Sequence, residues 1–225
     1  MAGMQNTEGG AAQNSPRKNT SLSAAAYFAI RDMLVTTSIQ PGAPVHEEEL
    51  TRQLGVGRTP VREAIKRLES ERLVKVYPRR GVFATEVQLS DLSLLTEVRA
   101  PLEGEAAYQT ARRATGQQRC RLAGLRDEAF EHGRDAESQM VFDSKVHRAI
   151  YECSHNTYLE ATLTQYYNLM LRIWYLYIDR LPAVTDHVGE LVPLLETMID
   201  CEADRARELA VEHIRGFEKA VLSIL

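Results

Sequence analysis

Gly55-Val56-Gly57-Arg58-Thr59-Pro60-Val61-Arg62-Glu63-Ala64-Ile65-Lys66-Arg67-Leu68-Glu69 is the stretch whose reading decides the fold. Gly55 suits a tight turn after a preceding helix, because a left-handed backbone costs glycine little. Pro60 suits the first turn of a new helix, with Gly57 or Thr59 as its cap. At about 100° per residue, Val61, Ala64, Ile65 and Leu68 fall on one apolar arc. Arg58, Arg62 and Lys66 fall on another, each four residues after the last, with Glu69 intruding at its end. A short helix with one face for a core and one row of long cations suits a DNA major groove, where arginine can donate to guanine O6 and N7 together. Taken alone, such a helix is equally a surface helix with a solvated basic face.

The flanking segments favour the groove. His46 to Leu54 forms about two turns of helix, with Leu50 and Leu54 spaced to pack. After the basic helix, Leu73 to Tyr77 and Val82 to Thr85 are short strands joined by Pro78-Arg79-Arg80-Gly81, a hairpin with a cationic tip. Helix, turn, helix and hairpin make a winged helix-turn-helix. The run Gln40-Pro41-Gly42, Glu47-x-x-Leu50, Gly55 to Ala64 and Arg79-Arg80-Gly81-Val82-Phe83 closely resembles the amino-terminal domain of GntR-family transcription regulators, over about residues 22–86. The resemblance implies that Arg58, Thr59 and Arg62 contact base edges or phosphates and that Arg52 and Lys66 position the backbone. It puts Arg79, Arg80 and Gly81 of the wing tip at the minor groove. Some relatives carry a basic residue where this chain has Glu48.

Charge is distributed to match. Residues 1–87 hold twelve Lys/Arg and nine Asp/Glu, and residues 88–225 hold fifteen and twenty-two, so the overall −4 conceals a basic front and an acidic back. Nucleic acid should meet the front. The three cysteines, Cys120, Cys153 and Cys201, are scattered and lack a Cys-x-x-Cys pair, which suits a reducing cytoplasm and excludes a cysteine zinc finger. No signal-peptide pattern opens the chain, and the apolar run from Tyr166 to Ile178 is too short and too polar to span a bilayer. Residues 1–20, with almost nothing to bury, are expected to form a disordered tail.

The expected organisation is a mainly α chain. Residues 21–86 form the winged domain, 87–89 a linker, and 90–225 an all-α antiparallel bundle of about six helices. These are expected near 90–113, 117–133, 136–153, 157–179, 183–201 and 203–223, after a first winged-domain helix near 23–38.

Within the bundle, Asp143 and His147 share the apolar arc of Met140, Phe142, Val146, Ala149 and Ile150, four residues apart. His213 sits amid Leu209, Ala210, Ile214 and Phe217, and His187 shares an arc with Leu191, Leu194 and Leu195. An inward carboxylate is costly unless it is paired or bound to a metal. Imidazole plus oxygen ligands suit a divalent Zn, Ni, Mn or Fe ion, while a buried hydrogen-bonded Asp–His pair and satisfied core histidines explain the same pattern without one. Phe142-Asp143-x-x-x-His147-Arg148-Ala149-Ile150, Asn156-x-x-Leu159 and Glu212-His213-Ile214 resemble the FCD effector domain of the FadR subfamily, and the helix count is like its VanR-type branch. That resemblance implies that Asp143, His147 and His213 are metal ligands. Leu191 stands where a fourth ligand, His, is expected. His187, one turn earlier in a helix that Pro193 should kink, is the proposed substitute. Arg99 matches a family arginine near the ligand cavity, and Arg172 is a second basic candidate for an acidic effector.

The expected function is a cytoplasmic, homodimeric transcription regulator. Its affinity for a near-palindromic double-stranded operator would answer to a small carboxylate effector, with a divalent metal in the bundle. The competing class is a metalloenzyme using the Asp/His site. His-Glu-x-x-His, a nucleophile elbow and a phosphate-cradling glycine loop are all absent from the sequence, so it is read as a non-enzyme.

Overall fold

The computed structural model describes residues 21–129, 135–177 and 187–224. The tail expected at 1–20, residues 130–133, 178–179 and 183–186 at the ends of expected helices, and the side chain of His187 lie outside the described residues.

The amino-terminal part is a winged helix-turn-helix. Helix α1 (Leu22–Val35) is capped by the Ser21 hydroxyl, which accepts from the amide of Ala24 at 3.2 Å. It is followed by β1 (Pro44–Val45), α2 (Glu47–Leu54) and α3 (Arg58–Ser70), then β2 (Val74–Tyr77) and β3 (Gly81–Ala84). Gly55 ends α2 at φ 64°, the left-handed conformation that makes glycine the natural residue between the two helices. The apolar arc read from the sequence is the buried face of α3, since Val61, Ala64, Ile65 and Leu68 are all in the core. Glu69, the anion on the cationic arc, accepts from the backbone N–H of Val76 at 3.0 Å and so ties α3 to β2.

The wing departs from expectation in one respect. The hairpin is part of a three-stranded antiparallel sheet in the order β1-β3-β2, with Pro44 opposite Phe83 and Val45 opposite Val82. A strand of two residues has no alternation to read, and pairing with β3 alone defines it.

Among the described residues six helices follow: α4 (Ser90–Arg113), α5 (Gly116–Glu128), α6 (Ala136–Cys153), α7 (Thr157–Tyr177), α8 (His187–Ile199) and α9 (Ala203–Ile224). Thr115 and Gln118 form a reciprocal capping box at α5, and Asp135 caps α6 by accepting from the amide of Ser138 at 2.8 Å. The most extensive helix pairing is between α4 and α9. Gly104 makes that approach possible, because a Cβ there would stand 2.8 Å from Val211 Cγ2 and 3.2 Å from the Arg207 carbonyl.

Nearly all the buried apolar residues of both parts, Ala100 and Ile214 excepted, belong to one contiguous cluster. Among the described residues no helix is long and apolar enough to cross a membrane.

Candidate metal centre and nucleic-acid interface

Helix α6 presents Asp143 and His147 inward on one face, and α9 brings His213 to meet them; each is only 2% exposed. The Nε2 atoms of His147 and His213 both stand 3.6 Å from the same oxygen, Asp143 Oδ1. One ligating atom from each residue lies within 4.8 Å of the others. Donors bound at about 2.1 Å around one tetrahedral ion would stand about 3.4 Å apart, so the two nitrogen–oxygen separations fit a shared ion.

Each imidazole is oriented from behind by a carboxylate. His147 Nδ1 donates to Glu103 Oε2 at 3.1 Å, and His213 Nδ1 donates to Glu190 Oε2 at 3.0 Å. With Nδ1 committed to a carboxylate, Nε2 is the nitrogen turned toward the centre, the usual arrangement for an imidazole that serves as a metal ligand. The other oxygen of Asp143 accepts from the Tyr167 hydroxyl at 2.6 Å. Glu103 also accepts from Tyr151 at 2.5 Å and from Arg99 at 2.6 Å.

Burial opposes ionisation of Glu103, but the His147 and Arg99 charges and the hydrogen bonds from His147 and Tyr151 outweigh it and hold its pKa at about 2. Burial likewise pushes the Tyr151 and Tyr167 hydroxyls well above their ordinary range, reinforced by Glu103 and Asp143 respectively. For His213 burial favours the neutral ring, yet Asp143 and Glu190 prevail and raise its pKa above the ordinary 6.5.

Arg99 is beside this cluster, but its guanidinium is committed to Glu103, four residues on in α4, and is nearly inaccessible. The sequence placed it at the rim of a ligand cavity. Glu103, four residues on along the same buried face of the helix, is the partner that the sequence reading did not name. Arg172 is not brought to the cluster. From α7 it donates through Nη1 to the Thr85 hydroxyl and through Nη2 to the Thr85 carbonyl, both at 2.5 Å, joining the bundle to the end of β3. Burial lowers its pKa to about 10 despite the charges of Glu86 and Asp91. Leu191 is fully buried, and α8 begins at His187.

The sequence-predicted nucleic-acid residues share an exposed character: Arg52, Arg58, Thr59, Arg62, Lys66, Arg79, Arg80 and Gly81 all face solvent. Two of the arginines are tied to α2. Arg62 Nε donates to Glu47 Oε2 at 2.8 Å, and Arg58 Nη2 donates to Glu48 Oε1 at 3.2 Å. In the wing, the cationic groups of Lys75 and Arg80 lie 5.1 and 5.8 Å from the centre of the Tyr77 ring.

A winged fold with a basic helix, joined to a helical bundle with a buried Asp–His–His cluster, agrees with comparison to known proteins. Residues 22–84 match the model of the "Bacterial regulatory proteins, gntR family", and residues 94–216, more than half the chain, match that of the FCD domain. The chain belongs to the GntR family and carries an FCD domain. Among its relatives, an HTH-type transcriptional regulator from an intergenic region of Agrobacterium vitis is 41% identical over 39% of this chain and 51% of its own length. The chain thus spans about half the length of that relative. The HTH-type transcriptional regulator YdhC of Bacillus subtilis is 25% identical over 86% of this chain and 78% of its own length. The solved structure of E. coli McbR/YncC superposes with a TM-score of 0.77 at 24% identity, covering 90% of this chain and 97% of that one, and shows the shared fold.

Proposed function

We propose that this regulator binds a near-palindromic duplex operator as a homodimer in the cytoplasm, and that a small carboxylate effector acting at the bundle controls its affinity. In this reading residues 21–86 are the DNA-binding domain, 87–89 the linker and 90–225 the effector and dimerisation domain. Arg58, Thr59 and Arg62 enter the major groove with α3. Arg52 and Lys66 lie against phosphates, and Arg79, Arg80 and Gly81 approach the minor groove. Two copies related by a twofold axis place two α3 helices on matching half-sites. The protein acts by binding rather than by catalysis, which is supported by relatives named as transcriptional regulators.

The observation that carries the effector part is the convergence of Asp143, His147 and His213 in a buried cluster whose imidazoles are each backed by a carboxylate. These three residues would hold a divalent Zn, Ni, Mn or Fe ion, with His187 as a further ligand from the start of α8. Such an ion supplies a Lewis-acid position for a carboxylate oxygen. With Arg99 committed to Glu103, that oxygen's main anchor is the ion rather than an arginine.

Metal content of protein purified without added metal, compared with that of Asp143→Ala, tests this reading. About one ion per chain in the wild type, lost in the variant, is the expected result. No ion in either protein, even after incubation with Zn²⁺, Ni²⁺ or Mn²⁺, would overturn the metal and leave a buried polar cluster.

A further inference from the structure

We propose that Glu47 is a specificity-determining positioning residue, whose carboxylate fixes the plane of the Arg62 guanidinium so that α3 presents it to a guanine edge. The inference rests on α3 being the DNA-reading helix and adds to it the residue that makes the reading selective.

Glu47 takes the Nε–H of Arg62 at 2.8 Å, which leaves the two Nη groups for DNA. In the end-on guanine contact those two groups span O6 and N7, so Nε is the atom that can be held without spending the reading edge. The Glu47 side chain is 33% exposed and its Arg62 partner 63%, so the carboxylate is partly enclosed while the cation still reaches outward. An unanchored exposed arginine must freeze several rotatable bonds on binding, whereas one already held in plane loses less.

The other cations assigned to DNA behave differently. Arg58 is tied through an Nη group, at 3.2 Å, and both partners of that pair are largely exposed. This tie occupies the very edge that would read a base. Among the described residues no carboxylate lies within 4 Å of Lys66, Arg79 or Arg80. A cation that serves phosphate as a point charge needs no such orientation, because a phosphate can be approached from many directions.

Two bland accounts are available. Three consecutive glutamates in the first turn of α2 complement the helix dipole, and an exposed ion pair adds little to stability. Neither explains why one carboxylate should be partly enclosed against the Nε of the arginine at the centre of the exposed face of α3. A carboxylate beside the groove also repels phosphate, so Glu47 should weaken non-specific binding while it supports the specific contact. Both effects raise the ratio of specific to non-specific affinity.

The test uses the full chain and a duplex selected by the wild-type protein from a randomised library, with a scrambled duplex of the same composition as reference. Dissociation constants are measured at several salt concentrations for wild type, Glu47→Ala, Glu47→Gln and Arg62→Ala. Glu47→Ala should lose about tenfold on the selected duplex and bind the scrambled one as tightly as wild type or more tightly. Glu47→Gln keeps an acceptor oxygen and should recover most of the selectivity, with tighter scrambled binding because the charge is gone. Replacing the contacted guanine by 7-deazaguanine, which lacks the N7 acceptor, should weaken wild type but leave Glu47→Ala unchanged. That readout would not move if Glu47 merely stabilised the fold.

An unchanged selectivity ratio in Glu47→Ala, alongside a loss in Arg62→Ala, would overturn this inference and leave the role of α3 standing. If Arg62→Ala matched wild type on both duplexes, or if the wild type selected no sequence or one lacking guanine, the positioning role would fall. In the first two of those cases the DNA-reading role of α3 would fall with it.

Discussion

Two of the arginine–glutamate pairs in this molecule, one at the surface and one buried, make the same two residues do opposite things. Between α2 and α3, Arg62 and Glu47 meet at 2.8 Å with the arginine mostly in solvent. Inside the bundle, Arg99 and Glu103 meet at 2.6 Å with both side chains at most 3% exposed. Water screens the first pair, so it contributes little to folding and leaves a guanidinium edge free for a partner. The second pair has given up its hydration and depends on the attraction between its own members, so neither can leave without stranding the other. A surface arginine held at Nε is therefore still available for recognition, while a buried one is committed.

The comparison can be broken at its strongest point first. Glu103→Ala strips Arg99 of its ion pair and removes the acceptor for Tyr151 and His147, and should cost about 3–5 kcal/mol in denaturant unfolding. The same variant should bind metal about 10- to 100-fold more weakly, since His147 loses the group that orients it. A loss below about 1 kcal/mol would mean that the buried pair behaves like a surface one. Acid titration gives a second view of the same residue. Because the Glu103 pKa is depressed to about 2, its contribution is present above the ordinary carboxylate value of 4.5 and lost as pH falls through 2.

Next in size is Gly104→Ala. The added methyl would stand 2.8 Å from Val211 Cγ2, so α4 must shift away from α9 at a cost of about 1–3 kcal/mol. The shift would also separate the Glu103 side of the cluster from His213, and weaker metal binding should accompany the lower stability.

A pH series probes the metal. With its pKa raised above 6.5, His213 contributes stability to the metal-free protein that is fully present below 6.5 and lost as pH rises through the raised value. A metal needs the neutral ring, so its affinity should fall about tenfold for each pH unit once His213 is protonated. Melting curves with and without Zn²⁺ between about pH 6 and pH 8 should therefore diverge as pH rises. Parallel curves would remove His213 from the ligand set.

The smallest effect belongs to the surface pair. Glu47→Ala should move the thermal midpoint by no more than about 2–4 °C. A larger shift would show that this pair is structural, and would weaken the contrast with Arg99 and Glu103.

Periodicity was enough to find the helices and most of the faces. The alternation that buries Val61, Ala64, Ile65 and Leu68 while exposing Arg58, Arg62 and Lys66 follows from 3.6 residues per turn, as does the inward placement of Asp143 and His147. That information is local, so sequence carries it. It could not reveal β1, a strand of two residues defined only by pairing with β3. Nor could it show that Arg172 reaches Thr85 across 87 positions, because that meeting depends on how α7 lies against the wing.

The sequence by itself determined the winged helix-turn-helix, the helical bundle and the inward set of Asp143, His147 and His213, because each is written in the spacing of residues along a single helix or turn. Only the tertiary structure decided which carboxylates stand behind the imidazoles. Glu103 on α4 and Glu190 on α8 come from separate helices, 44 and 23 positions from the histidines they orient. A contact between helices is fixed by how their faces pack, and no local pattern encodes that rotation and offset. The same packing sets the pair of Arg99 and Glu103 behind His147.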